Sequence, residues 1–322
     1  SLGDTINNMT INSTGTPGGK AGDAFEGTTV IITAADSSIE QRVRAALQEA
    51  GYSMDVVNTD IIPQSLVRMG LEAEADSFVF IHRVAFFEDE QAGEDYMASA
   101  QGTVLRLTPQ TVDDPDPFAV PELRVRGTGD ASELDLTADV EMLRQAILEK
   151  HAGLLATELK TSIWLLEGYD AIQRGIDVLG ENRDTGYLWT DQFTLGDDPE
   201  EFVIVYGVNH AAFGKATYSN VSIYGFDIKN GVAGVENTSL AGTADEYLPG
   251  NPNAKYLYVW KIARDAGGDP DCLAVPTWPG AYGIPLDANC YIAFRAYLEQ
   301  ETRVGPYWFE LFYDRAIKFD PR

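Results

Sequence analysis

Hydrophobic positions along the chain follow two different periods, and the change between them predicts the organisation. Thr28–Thr33 (TTVIIT) is a short β-branched run with the composition of a buried strand. Ser37 and Glu40 stand at capping-box spacing. Ile39, Val43, Ala46, Leu47 and Ala50 then recur at helical intervals as far as Gly51, which suits a left-handed stop. Met54–Val57 follows as a second apolar strand, so this stretch predicts a compact β-α-β unit. Two more strands are expected at Phe78–Phe86 and Thr103–Leu107.

Residues 109–130 carry prolines and glycines without periodicity, as a connection does. Beyond them Val140, Leu143, Ile147, Leu154, Leu155, Leu159, Ile163, Leu166, Ile172 and Ile176 form a stripe at helical spacing. This predicts helix from about Thr137 to Leu179, broken into two or three pieces at Gly153, Gly168 and Gly175. The period then shortens to two. Strands are expected at Phe202–Val208, Ala216–Phe226, Tyr256–Ala263, Tyr291–Leu298 and Tyr307–Tyr313. The fold class expected is α+β: a small N-terminal β-α-β domain, then a helical segment leading into a mainly antiparallel sheet domain. The expected division is a flexible tether at 1–27, an α/β domain at 28–108, a connection at 109–136 and the helix-plus-sheet domain at 137–322.

Charge narrows the partners. Asp and Glu number 50 against 23 Lys and Arg, a formal net charge of -27. Such a surface repels phosphate backbones and anionic membranes, which argues against nucleic-acid binding. No stretch is long and apolar enough to cross a membrane as a helix. Residues 1–27 are Asn-, Thr- and Gly-rich, the composition of a tether left after export, and the first residue is Ser rather than Met. Cys272 and Cys290, the only cysteines, flank a Pro- and Gly-rich stretch. A disulfide between them would contribute roughly 3 kcal/mol through loop closure. Together these features predict an extracytoplasmic setting, whether periplasmic, secreted or anchored at a surface.

Candidate chemistry concentrates after residue 185. In Tyr291–Leu298 one face reads Tyr291, Ala293, Arg295, Tyr297. In Ala216–Phe226 one face reads Tyr218, Asn220, Ser222, Tyr224. Tyr256, Tyr258 and Trp260 also alternate. Aromatic rings with polar tips beside an arginine are suited to a small organic or carbohydrate-like ligand, because the rings stack while the tips fix orientation. His210 ends an apolar strand between Gly207 and Gly214, with Asn209 before it and Lys215 after. Trp189 and Asp191 lie just upstream. The candidate ligand-binding set is therefore Trp189, Asp191, Asn209, His210, Lys215, Tyr218 and Arg295. Asp265, Asp269 and Asp271 in the loop DAGGDPD offer the oxygen ligands that calcium takes, and no other cofactor is expected.

Three functions follow as expectations. The first is an exported acidic protein binding a small ligand on the aromatic sheet face. The second is a hydrolase or lyase in which His210 and Asp191 act as an acid–base pair. The third is a cell-surface structural or interaction module. No nucleophile elbow, nucleotide-binding glycine loop or zinc motif accompanies them.

Overall fold

The computed structural model describes residues 6–7, 9–12, 29–66, 68–78, 95, 98, 103–111, 114–130, 132–164, 167–176, 183–277 and 283–322. Most of the expected 1–27 tether and of the Phe78–Phe86 strand lies outside these residues. The chain divides into two units, residues 1–123 with 168–181, and residues 124–167 with 182–322.

In the first unit, β1 (Val30–Ala34), α1 (Ser37–Glu49) and β2 (Val57–Ile61) form the predicted β-α-β segment, with β1 and β2 parallel. Ile32, Ala34, Val56 and Val57 are buried beneath Val43 and Leu47 of the helix. The cap differs from the expected Ser37. Asp36 Oδ1 accepts from the Ser38 and Ile39 N–H groups (2.9 and 3.2 Å). Glu40 instead pairs with Arg44 one turn on and accepts from Thr59. Gly51, at φ 91°, closes the helix as predicted. Thr103–Leu107 forms no strand, and Val104, Leu105 and Leu107 are exposed.

The second unit holds two five-stranded sheets. Its helix α2 (Thr137–Lys150) is followed by β3 (Leu155–Leu159), β4 (Thr161–Ile163), β5 (Thr185–Thr190), β6 (Phe202–Val208), β7 (Tyr218–Gly225), β8 (Gly231–Glu236), β9 (Leu257–Ala263), β10 (Cys272–Ala274), β11 (Cys290–Tyr297) and β12 (Arg315–Asp320). The first sheet runs β10-β9-β6-β12-β3 and the second β4-β5-β11-β7-β8. Among the described residues of this unit every strand pairing is antiparallel except that of β9 with β10. Alternate residues decide the layers. Val203, Val205, Tyr258, Trp260 and Ile262 of the first sheet meet Leu188, Val221, Ile223, Ile292 and Phe294 of the second in one core. On the opposite side of the first sheet, Phe202, Ile204, Tyr206, Leu257, Val259, Ile317 and Phe319 pack with Val140, Leu143 and Ile147 of α2. Because β6 is covered on both faces, its seven residues are all buried.

Three further expectations fail, each for a reason in the packing. Helix stops at Lys150, and 155–163 is strand. Local periodicity does not reveal that β3 hydrogen-bonds β12 near the other end of the unit. The chain then passes from one sheet to the other at Lys160. Tyr307–Tyr313 contains only a 3-10 turn, Trp308–Glu310, and the strand begins at Arg315. Here the Phe312 N–H is taken by the Glu133 carboxylate (2.8 Å) instead of a neighbouring strand.

The third is the disulfide. Cys272 and Cys290 are both free thiols. Cys290 faces the core between the sheets, where its Sγ lies 3.1 Å from the Phe193 carbonyl. Cys272 packs on the α2 side of the first sheet, so that sheet separates the sulfurs. Burial pushes the Cys290 thiol up to about 12, which leaves it unreactive at neutral pH.

Two outcomes follow from this packing. Protein denatured without reductant is expected to yield two titratable thiols with Ellman's reagent, whereas a yield near zero would restore the bridge. Leu143→Ala, deleting a fully buried side chain under α2, is expected to lower stability by about 2–5 kcal/mol in urea unfolding.

Candidate functional site

β5, β11 and β7 lie side by side in the second sheet, in the register Tyr187–Arg295–Asn220, with Trp189 and Ser222 flanking Ala293 one step along. The same strands send Leu188, Phe294 and Val221 into the core. Side chains of the first group therefore line the sheet's other face. Trp164 stacks on Trp189 (5.8 Å between centroids, 15° between planes), and Tyr224 stacks on Tyr291 (5.2 Å, 14°). Trp164 also meets Tyr291 edge-on at 5.5 Å, joining the two pairs. Toward the other end, Tyr297 contacts Tyr187 (6.4 Å) and Tyr218 (5.8 Å). Each well-placed ring pair contributes roughly 0.5–1.5 kcal/mol beyond its burial, so this array is rigid. Arg295 lies within it, 5.6 Å from the Tyr187 ring centre and 5.3 Å from that of Tyr224. Its guanidinium donates to Tyr224 Oη and, at 3.4 Å, to Asn220 Oδ1.

Trp189, Tyr218 and Arg295 of the predicted set thus share one face. The others do not join them. Asn209 caps a one-turn helix, His210–Phe213, accepting from the Ala212 N–H (3.2 Å) and donating to the Asn237 carbonyl (2.8 Å). Asp191 is exposed beyond β5, its backbone N–H held by the Lys160 carbonyl.

His210 does not stand at an open rim. Glu133 faces its Nδ1 at 2.8 Å and Asp314 faces its Nε2 at 3.1 Å, with all three side chains buried. Tyr258 Oη donates to the second oxygen of Asp314 (2.6 Å). Gly207 admits this approach, since a Cβ there would lie 3.3 Å from Asp314 Oδ1. Burial pulls the His210 pKa down, but the charges of Glu133 and Asp314 outweigh it and hold the imidazolium well above the usual range. Burial also raises the Glu133 carboxyl.

The proposed pairing of His210 with Asp191 is therefore replaced by a clamp between Glu133 and Asp314. With both ring nitrogens engaged, His210 has no site from which to take a substrate proton. A cleft of about 290 Å³ is lined by Leu134, Tyr313 and Arg315, the sequence neighbours of Glu133 and Asp314, but its remaining wall is Trp308, Phe309, Leu311 and Phe312.

Lys215 is also buried. Its ammonium contacts Glu310 and, at 3.0 Å, Glu299. Desolvation lowers its pKa, yet these two carboxylates raise it on balance. Glu310 in turn accepts from the Gly129 N–H at 2.9 Å. Both basic residues are thus interior ties. The sequence does not single out Glu133, Glu299, Glu310 and Asp314, and it marks Tyr258 only as part of an aromatic face, because their partners lie far away along the chain.

Asp265 and Asp269 close turns of their own loop, accepting from the Gly267 N–H (2.9 Å) and the Asp271 N–H (3.0 Å). Among the described residues no group of three or more His, Cys, Asp or Glu is arranged to hold a metal ion. No helix among them is long and apolar enough to cross a membrane.

The chain matches no protein-family model, no curated protein and no solved structure. The residues themselves must therefore carry the functional argument.

The His210 clamp gives a signed pH dependence. A histidine pKa raised on folding stabilises fully below its ordinary value of 6.5, and this contribution is lost as pH rises through the folded value. The raised Glu133 acts in the same direction from 4.5 upward. In a ¹⁵N-edited NMR titration His210 is expected to stay doubly protonated as pH rises past 6.5, where a free histidine loses its proton. His151, whose pKa is lowered chiefly by burial, is expected to titrate below 6.5. His210→Ala is expected to cost about 3–5 kcal/mol in urea unfolding, since two buried carboxylates lose their cation.

Proposed function

We propose that this chain is an extracytoplasmic recognition protein that binds a small organic or carbohydrate-like ligand on the aromatic face of its second sheet. The observation that carries this reading is the joined ring array of Trp164, Trp189, Tyr187, Tyr218 and Tyr297, organised around Arg295. Aromatic residues with hydroxyl or indole tips offer stacking area at low entropic cost, and the tips orient what stacks. Tyr218 is 38% exposed and stands at the solvent side of the array.

The setting outside the cytoplasm rests on composition alone. The net charge of -27 and the Asn-, Thr- and Gly-rich residues 1–27 support it. The free thiols remove the disulfide from that argument. Binding is favoured over acid–base catalysis because His210 and Lys215 are both tied to buried carboxylates.

A thermal-shift screen against neutral sugars, sugar acids, aromatic acids and amino acids, with and without calcium, tests the reading. A ligand at about 100 times its dissociation constant adds roughly 2.7 kcal/mol, a rise of about 5–10 °C for a unit of this size. One organic class is expected to produce that shift, and Trp189→Ala combined with Tyr218→Ala is expected to abolish it. Should no class shift the wild type, or should the double variant respond unchanged, the aromatic face is not the binding site.

A further inference from the structure

Arg295 is only 6% exposed, and no carboxylate among the described residues stands within ion-pair distance of it. That is unexpected in this chain. Acidic residues outnumber basic ones by more than two to one, and the other deeply buried cations have paired acids: Lys215 with Glu299 and Glu310, Arg126 and Arg183 with Glu167. Arg295 instead donates to two neutral oxygens, on Tyr224 and Asn220, and lies between the rings of Tyr187 and Tyr224. Asp184 feels its charge, yet burial still holds the Asp184 carboxyl above the ordinary range. A buried cation without a counter-charge is costly, and protein interiors do not normally leave one so.

We infer that the ligand of the aromatic face carries an anionic group, a carboxylate or its planar equivalent, which pairs with the Arg295 guanidinium while its ring stacks on the array. This deepens the recognition reading and rests on it. The geometry offers a route between solvent and the charge. Asn220 Nδ2 donates to Tyr218 Oη (3.3 Å), and Asn220 Oδ1 receives Arg295 at 3.4 Å, the longer of the guanidinium's two bonds. A carboxylate entering beside the exposed Tyr218 takes the place of the Asn220 carboxamide and accepts from the planar fork. Uronic acids and aryl carboxylates have this combination of ring and charge. The acidic surface of the protein opposes the approach of any anion. Affinity therefore depends on this one desolvated site, and neighbouring molecules that lack the ring are rejected.

The test uses probe pairs that differ only in a carboxylate against a neutral hydroxymethyl group: glucuronate against glucose, and 4-hydroxyphenylacetate against 4-hydroxyphenethyl alcohol. Binding to the full chain is followed by tryptophan fluorescence and calorimetry. In at least one pair the acid is expected to bind about tenfold or more tighter than its neutral partner. Arg295→Gln is expected to remove that difference, and Arg295→Lys to restore only part of it, because the fork is lost. The circular-dichroism spectrum and urea-unfolding midpoint of Arg295→Gln separate a loss of binding from a folding defect. Equal binding of acid and neutral partner overturns the anionic assignment while leaving the recognition reading intact. Absence of binding by every probe overturns both. A preference for the acid that survives in a folded Arg295→Gln protein places the anion elsewhere and overturns the role of Arg295.

Discussion

The buried contact of His210 with Glu133 and Asp314 ties together parts of the second unit that no short-range interaction could join. Glu133 precedes α2, His210 follows β6, and Asp314 precedes β12. One imidazolium between two carboxylates thus fixes the entry of the helix, the end of the most buried strand and the start of the last strand at one point. Tyr258 adds β9 through its bond to Asp314, and the Phe312 N–H adds the backbone before β12 through Glu133. Such a cluster gains stability only when every lone pair and proton is matched. Here the matching is close to complete, and it defines how α2 and the first sheet meet.

With the layers fixed in this way, the second sheet is left to present a face of different character. Its inward residues, Leu188, Val221 and Phe294, belong to the common core, while the alternate residues are aromatic, polar or cationic apart from the small Ala293. Placing large rings there has a structural benefit of its own, since Tyr224 and Tyr291 pack almost face to face. The arginine among them is different in kind. Among the described residues no carboxylate pairs with it, and the proposed anionic ligand would supply the missing charge.

Much of the architecture was legible in the sequence because it is written in local periodicity. The β-α-β segment, the stripe of Val140, Leu143 and Ile147, and the strands at 202–208 and 257–263 all announce themselves within a few residues. The alternation of Tyr291, Arg295 and Tyr297 likewise identified one face of β11. Pairing partners were not legible. Nothing around Leu155 reveals that its neighbour is Asp320, and nothing around His210 points to Glu133 or Asp314. Tyr258 and Trp260, expected on the ligand-facing side, turn into the core because their sheet is the other one. The two cysteines were read as a closed loop because they flank one, but the sheet between their side chains decides otherwise.

The position of β12 has a consequence for how the protein is made. This strand lies between β6 and β3 in its sheet, and its Ile317 and Phe319 fill the layer beneath α2. Among the described strands of this unit it is also the last to be synthesised. Until it arrives, β6 has an unpaired edge, β3 has no partner, and the carboxylates that will close on His210 are incomplete. Pairings this distant in sequence form slowly. The unit must therefore remain open through most of its translation, with its most apolar strand exposed to other chains. The heavy acidic charge on the rest of the molecule then has a second use, since mutual repulsion keeps unfinished copies apart while they wait for their final strand.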